Sequence, residues 1–298
     1  MHVFVTGATG FIGSAIVKEL IATGHSVTGL VRSNANARIL AQTGAKPHRG
    51  DLDDLDSLRR GAEGADGVIH TAFNHDFSTY RDNCAADRGI IAALGSVLAG
   101  SNRPLLVTSG IGILPAGSLL TEDVLPATGA AAHPRAASEQ AAVALLDQGV
   151  NAGIVRLPPS VHGAGDHGFV PHLIATAKRT GVAAYIGDGA NRWPAVHRFD
   201  AARLYRLALE NAVPGARWHG VAEEGVGFRD IAALIARRLD LPLVSTGGAA
   251  AAAHFGWMSG FAAMDVPSSS AQTRAKLGWQ PVETGLLADM EGSDYFAA

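Results

Sequence analysis

Gly7, Gly10 and Gly13, set three residues apart, are the residues of this chain whose type and spacing point most directly to chemistry. They belong to the run Thr6-Gly7-Ala8-Thr9-Gly10-Phe11-Ile12-Gly13, which follows a short apolar segment, His2-Val3-Phe4-Val5. Ile12, Ile16 and Leu20 then recur every fourth residue, with Val17 and Ile21 beside them, so the glycines open an amphipathic helix. A strand, a glycine turn and a helix in that order suit an anionic dinucleotide. The first glycine lets the chain turn tightly, and the second lets backbone N–H groups approach a pyrophosphate. The third lets the helix pack close to the strand with its positive end aimed at the anion. Thr9, Phe11 and Ile12 share that turn. Glycines also fill ordinary turns, so the flanking strand and helix give this triplet its meaning.

The second expected strand, Ser26–Val31, ends at Arg32-Ser33-Asn34. An acid at this place would hydrogen-bond the ribose 2′-OH of NAD, whereas a cation accommodates the 2′-phosphate of NADP. The next acid here is Asp51. Arg32 offers a planar fork suited to phosphate and Ser33 a hydroxyl. A solvated surface arginine is the plain alternative. NADP(H) is the expected cofactor, with NAD the second choice.

Composition bounds the rest. The chain has 298 residues, 47% hydrophobic and 17% charged, enough apolar content for a large core. A formal net charge of -3 argues against a nucleic-acid footprint. The single cysteine, Cys84, excludes an internal disulfide framework and fits a reducing compartment. No apolar run approaches the ~18 residues needed to span a bilayer, and a strand starting at residue 2 leaves no room for a signal peptide. The expectation is a cytoplasmic protein that acts on a small-molecule substrate, with neither nucleic acid nor membrane as partner. A homodimer is left open.

Elements of alternating type must position these residues. Helices are expected over Asp54–Gly61, Arg81–Ala99 and Ala136–Gly149, and strands over Gly67–Ala72, Leu105–Ser109 and Ala152–Leu157. Repeated βα units with short turns imply a parallel sheet covered on both faces. Past Pro158-Pro159 the rhythm loosens into a loop over 160–169, a helix over Val170–Thr180, and a return to the sheet region near Arg192–Asn211. Helical stretches follow at Phe228–Leu239, Ala249–Ala253 and Ser270–Leu277, and Asp200 is placed to cap the helix after His197. Residues 1–157 are therefore expected to form the nucleotide-binding domain. Residues 158–298 are expected to form mainly a second lobe, with about 191–215 rejoining the first.

TGATGFIG, Asp51-Leu52, Leu157-Pro158-Pro159-Ser160-Val161-His162-Gly163 and Leu277-Gly278-Trp279-Gln280-Pro281 together resemble the extended short-chain dehydrogenase/reductase family, of the epimerase/dehydratase type. The resemblance spans nearly the whole chain. It implies an α/β fold, a Rossmann doubly wound parallel sheet with a smaller C-terminal substrate lobe, and an NADP(H)-dependent oxidoreductase acting on a small carbonyl or alcohol compound. It places Asp51 and Leu52 around the adenine, and Thr71, Ala72 and Phe73 along the ribose and phosphates. Thr108 falls within the cofactor site, and Pro158, Pro159 and Val161 fall near the nicotinamide. An isomerase or dehydratase that keeps its cofactor, and a regulator that binds NADP without turnover, are the competing readings.

One departure stands out. The family's tyrosine acid/base, four residues before a lysine, falls on Ala131, and the lysine falls on Arg135. No tyrosine lies between Tyr80 and Tyr185. Arg135 can hold a ribose or phosphate as a permanent cation but is a poor proton donor. His133 titrates near neutrality, and Ser109 carries a hydroxyl at the sheet's carboxyl edge, so these two are the candidate donors. His162, Asp166, His167 and His172 lack the spacing of a metal site, and no metal is expected. Trp193 and His197 border the expected substrate pocket or its core, and Phe73, Ile113, Leu114 and Phe169 give it an apolar cast.

Overall fold

The computed structural model describes residues 1–292 and 294–296. Strands β1 (His2–Thr6), β2 (Ser26–Val31), β3 (Lys46–Arg49), β4 (Gly67–His70), β5 (Pro104–Gly110) and β6 (Asn151–Leu157) fill the first half. They are followed by β7 (Ser160–His162), β8 (Ala183–Ile186), β9 (Arg192–His197), β10 (Arg217–His219), β11 (Glu223–Gly227) and β12 (Leu243–Thr246). The helices between them are α1 (Phe11–Ala22), α2 (Asn34–Ala41), α3 (Leu55–Glu63), α4 (Tyr80–Ser96), α5 (Ala136–Leu146) and α6 (Phe169–Thr180). Then come α7 (Arg198–Glu210), α8 (Phe228–Leu239), α9 (Gly248–Phe255), α10 (Ser259–Ala262), α11 (Ala271–Leu277) and α12 (Leu286–Gly292).

Seven parallel strands form the main sheet in the order β10-β6-β5-β4-β1-β2-β3. This is a Rossmann sheet, and its strand order reverses between β1 and β4, where ligands of open α/β sheets bind. Alternate residues of β1 face opposite layers. Val3 and Val5 pack with α1 and α7, and Phe4 packs with α3, α4 and α5. A three-stranded sheet (β11-β9-β7) and a two-stranded one (β12-β8) belong to the second half. There α6, α8 and α9 enclose a separate core around Trp193 and Phe228.

Several expected elements change at their edges. The loop begun at residue 160 starts instead as β7, parallel to β9. Segment 191–215 divides: β9 joins the small sheet, α7 packs along α1, and the strand that completes the main sheet is β10. Asp200 does not cap α7. His197 does, accepting a hydrogen bond from the Phe199 N–H at 3.3 Å, because the helix starts at Arg198. Asp200 lies inside the first turn and binds the backbone N–H groups of Val282 and Glu283 at 2.9 and 3.0 Å. Its carbonyl accepts the Trp279 indole N–H at 2.9 Å, so the C-terminal Leu-Gly-Trp segment locks the start of α7. Helix α2 and strand β3 carry no apolar period: Leu40 is the buried residue of α2, and β3 is a polar edge strand with a proline.

A second lock joins the halves. Arg156 on β6 is fully buried and meets Glu139 of α5 with two 2.8 Å bonds. It also donates to the Val124 carbonyl at 2.9 Å and lies 3.3 Å from His219 Nε2. His219 Nδ1 is 2.9 Å from the Ser269 carbonyl, so the ring is neutral, with its proton on Nδ1. Burial first, opposed by Glu122 and helped by Arg156, pushes His219 down to about 4. A histidine held neutral in the fold and free to protonate when unfolded withdraws stability as pH falls from about 6.5 toward that value. The full span is worth about 3 kcal/mol. Urea unfolding from pH 7.5 to 5 is expected to show falling stability across this window and a flatter profile in His219→Asn. Equal pH slopes in the two proteins would contradict the assignment.

Candidate active site

Glycine geometry shapes the floor of the site. Gly7 has a φ of +70°, and a Cβ there would lie 2.8 Å from Thr71 Oγ1 and 2.9 Å from the Ala72 nitrogen. At Gly13 a Cβ would fall 2.0 Å from the Gly7 carbonyl oxygen, so α1 approaches β1 as closely as backbone allows. Gly10 is exposed and caps α1 without a side chain, and no acid occupies the first turn. The N–H groups of Phe11, Ile12 and Gly13 therefore form a cradle at the helix's positive end, which fits a pyrophosphate. Thr9 is partly buried within the turn.

The rim is built from other strand ends. Arg32 and Ser33 lie exposed just past β2, and Ser33 Oγ accepts the Asn36 N–H at 3.1 Å to start α2. Arg49 pairs in register with Val31, which puts a second cation at this edge that sequence reasoning missed. Asp51 follows β3 and accepts the Asp53 N–H at 3.4 Å, while Leu52 packs against the core. Thr71 donates to the Thr6 carbonyl at 2.7 Å, tying the end of β4 to β1. Across the cleft Pro158 is buried, Pro159 half-buried, and Val161 packs against the main core.

Beneath this rim runs a buried polar chain. Thr6 Oγ1 meets His70 Nδ1 at 2.7 Å, and His70 Nε2 meets Asp87 Oδ1 at 2.9 Å. Asp87 Oδ2 takes hydrogen bonds from Arg135 and from Ser138. Burial alone would raise the Asp87 carboxyl. His70, Arg135 and Ser138 overcome that and hold it far below the usual carboxylate range. Arg135 also donates to the Thr108 carbonyl at 3.2 Å, and its guanidinium lies 3.8 Å over the Phe73 ring. Most of its donors thus face inward. The Thr108 hydroxyl is spent as well, donating to the His70 carbonyl and accepting from Tyr205, both at 2.7 Å.

Beside Arg135, His133 Nδ1 accepts the Arg135 N–H at 3.3 Å, which leaves the proton of the neutral ring on Nε2. Burial and then the Arg135 charge lower its pKa, so the neutral donor form prevails at pH 7. Ser109, on β5, is buried, and its hydroxyl has no partner among the described residues. Ala131, at the family's tyrosine position, is exposed on a short 3-10 turn.

Tyr80 was missed by sequence reasoning. It starts α4 on the same face as Cys84 and Asp87, and its ring lies 6.0 Å from both Phe73 and His133. Burial raises the Tyr80 phenol, keeping it protonated. Phe77 stacks on Trp257 at 4.3 Å, and Phe261 and Phe169 adjoin them, forming an aromatic wall from segments far apart in sequence. Trp193, by contrast, is fully buried in the second core. Ile113 and Leu114 pack in a small cluster of their own. His162 pairs with Asp289 at 2.9 Å, Asp166 accepts from Tyr295 at 2.8 Å, and His172 accepts from Trp257 at 3.2 Å.

A glycine cradle at the switch point of a Rossmann sheet, with a separate second core built by later residues, defines a dinucleotide-binding α/β fold. The chain belongs to the NAD-dependent epimerase/dehydratase family, whose profile matches residues 3–219, and so to the extended short-chain dehydrogenases/reductases. Members of this family are NAD(P)-dependent oxidoreductases, epimerases and dehydratases. An uncharacterized protein of Schizosaccharomyces pombe is 49% identical over 296 residues, covering 99% of this chain and all (100%) of its own length. A 2-alkyl-3-oxoalkanoate reductase of Stenotrophomonas maltophilia is 30% identical over 234 residues, covering 74% and 69% of the two chains. The crystal structure of a dTDP-glucose 4,6-dehydratase of Streptomyces venezuelae with NAD bound matches at TM-score 0.76 and 19% identity. It covers 95% of this chain and 93% of its own. No helix among the described residues is long and apolar enough to cross a membrane.

Proposed function

We propose that the protein is an NADP(H)-dependent reductase of a small carbonyl compound with an apolar body, working without the family's tyrosine. The observation that carries this reading is the strand-end pair Arg32-Ser33 beside an open glycine cradle. A cation and a hydroxyl stand where an NAD enzyme would carry an acid. Supporting it, one relative is a 2-alkyl-3-oxoalkanoate reductase. The wall of Phe77, Phe169, Trp257 and Phe261 suits an apolar substrate better than a sugar.

In this reading Phe11, Ile12 and Gly13 bind the pyrophosphate through their N–H groups, and Arg32 with Ser33 binds the 2′-phosphate. Asp51 and Leu52 flank the adenine, and Thr71, Ala72 and Phe73 line the ribose and phosphates. Pro158, Pro159 and Val161 bound the nicotinamide side. Bound in its reduced form, the nicotinamide supplies a hydride to the carbonyl carbon. The protein's part is to stabilise and protonate the oxygen, often the largest catalytic term. Ser109 offers an unpartnered hydroxyl, His133 an Nε2–H, and Tyr80 a phenol. Arg135, fixed by Asp87, keeps a permanent positive charge beside them.

The Arg32 assignment predicts selective damage. Arg32→Ala is expected to weaken NADPH binding by roughly ten- to a hundred-fold and to leave NADH nearly untouched, since a charge-assisted arginine contact contributes ~1.5–3 kcal/mol. Calorimetry on both cofactors decides it, and equal losses would mean that Arg32 does not read the phosphate.

Proton delivery is tested with Ser109→Ala, His133→Ala and Tyr80→Phe on a panel of aliphatic and aryl ketones. The true donor is expected to show a rate loss of ~10²–10⁴ with NADPH affinity unchanged. If all three variants keep rates within about tenfold of the parent, none of them is the acid. A panel that yields no NADPH oxidation by the parent would favour binding without turnover, the reading that the alanine at position 131 supports.

A further inference from the structure

Arg198 is a partly buried cation with no ion-pair partner among the described residues. It opens α7, and its guanidinium carbon lies 5.0 Å from the Phe11 ring of the glycine turn and 4.9 Å from the Phe199 ring. Its Nε is shut off from solvent and has no hydrogen-bond partner among the described residues. Four other buried or partly buried arginines are matched to carboxylates: Arg135 to Asp87, Arg156 to Glu139, Arg203 to Asp200, Arg206 to Glu19. Arg217 on β10 shares the unpartnered Nε, so what sets Arg198 apart is its place against Phe11 of the glycine turn. Asp200, the acid nearest to Arg198 in sequence, is taken by Arg203 and by two backbone N–H groups.

The position makes the missing partner informative. Phe11 is the first residue of α1, whose positive end has neither an acidic residue in its first turn nor a side-chain cap. A second positive charge brought to that end is unfavourable unless an anion lies between them. The stem of Arg198 is also confined. A Cβ at Gly163 would lie 3.3 Å from its Cγ, and Phe11 and Phe199 flank its head. The planar guanidinium, pre-set at that spot, matches the bidentate geometry of a phosphate oxygen pair.

We infer that Arg198 clamps the diphosphate of the dinucleotide from α7, opposite the N–H cradle of α1. The inference rests on the cofactor reading above and adds to it a ligand residue from the far side of the cleft. It also assigns the two arginines different tasks. Arg198 meets the diphosphate shared by NAD and NADP, and Arg32 meets the 2′-phosphate of NADP alone.

Four nucleotides separate these roles in calorimetric titrations of the full chain: NADPH, NADH, ADP-ribose and 2′,5′-ADP, the last lacking a diphosphate. Arg198→Leu is expected to weaken the first three by a common factor of roughly ten to a hundred and to leave 2′,5′-ADP within about twofold. Arg198→Lys, which keeps the charge, is expected to bind all three more tightly than Arg198→Leu. Unchanged affinity for NADPH and NADH in Arg198→Leu would overturn the inference and leave the cofactor reading intact. So would a loss for 2′,5′-ADP equal to the other losses. If the unaltered protein binds none of the four, the cofactor reading itself falls.

Discussion

The contact between Gly13 and the Gly7 carbonyl governs the whole arrangement. A side chain at position 13 would place its Cβ 2.0 Å from that oxygen, so only glycine lets α1 lie this close to β1. That closeness aims the helix's free N–H groups at the carboxyl edge of the sheet. It also sets the surface on which α7 packs, and thereby the place where the second half of the chain returns. The lobe across the cleft is positioned through α7. Trp279 and the backbone at 282–283 hold its first turn through Asp200.

Charge inside the molecule is handled in two ways. At the back of the sheet, Arg156, Glu139 and His219 satisfy one another, and the network ties β6, α5 and β10 together. Such a buried ion pair adds little net stability over an apolar core of the same shape, but breaking it leaves an uncompensated charge. Under the cleft, Asp87 links His70 to Arg135 and fixes the cation next to the candidate donors. Ser109 and Arg198 differ from both networks. Each has a buried polar atom without a hydrogen-bond partner among the described residues, Ser109 on β5 and Arg198 beside the glycine turn.

Much of the nucleotide half was legible in the sequence because glycine, apolar period and strand length all point the same way there. The Ser26–Val31 and Phe228–Leu239 boundaries follow directly from apolar runs ended by turn residues. Helix α2 and strand β3 were not legible, since one buries little and the other is a polar edge. The cap of α7 was misassigned to Asp200, whose carboxylate is claimed by a segment more than eighty residues downstream. The aromatic wall could not be read at all. Phe77 and Trp257 meet only in three dimensions, and nothing local in either segment marks the contact. Tyr80 hid for a similar reason: it meets the His133 ring from α4, outside the segment where the family keeps its tyrosine.

The central claim is that the glycine turn holds a dinucleotide, and Gly10→Val tests it most directly. Gly10 is exposed, and an added Cβ meets only the Gly7 carbonyl oxygen, at 3.2 Å, so the fold should tolerate the change while the cradle does not. The measurement is NADPH and NADH affinity by calorimetry, alongside far-UV circular dichroism. The account predicts that the unaltered protein binds, that Gly10→Val loses binding to both cofactors, and that the two spectra superimpose. Undiminished dinucleotide affinity in a folded Gly10→Val protein would contradict it.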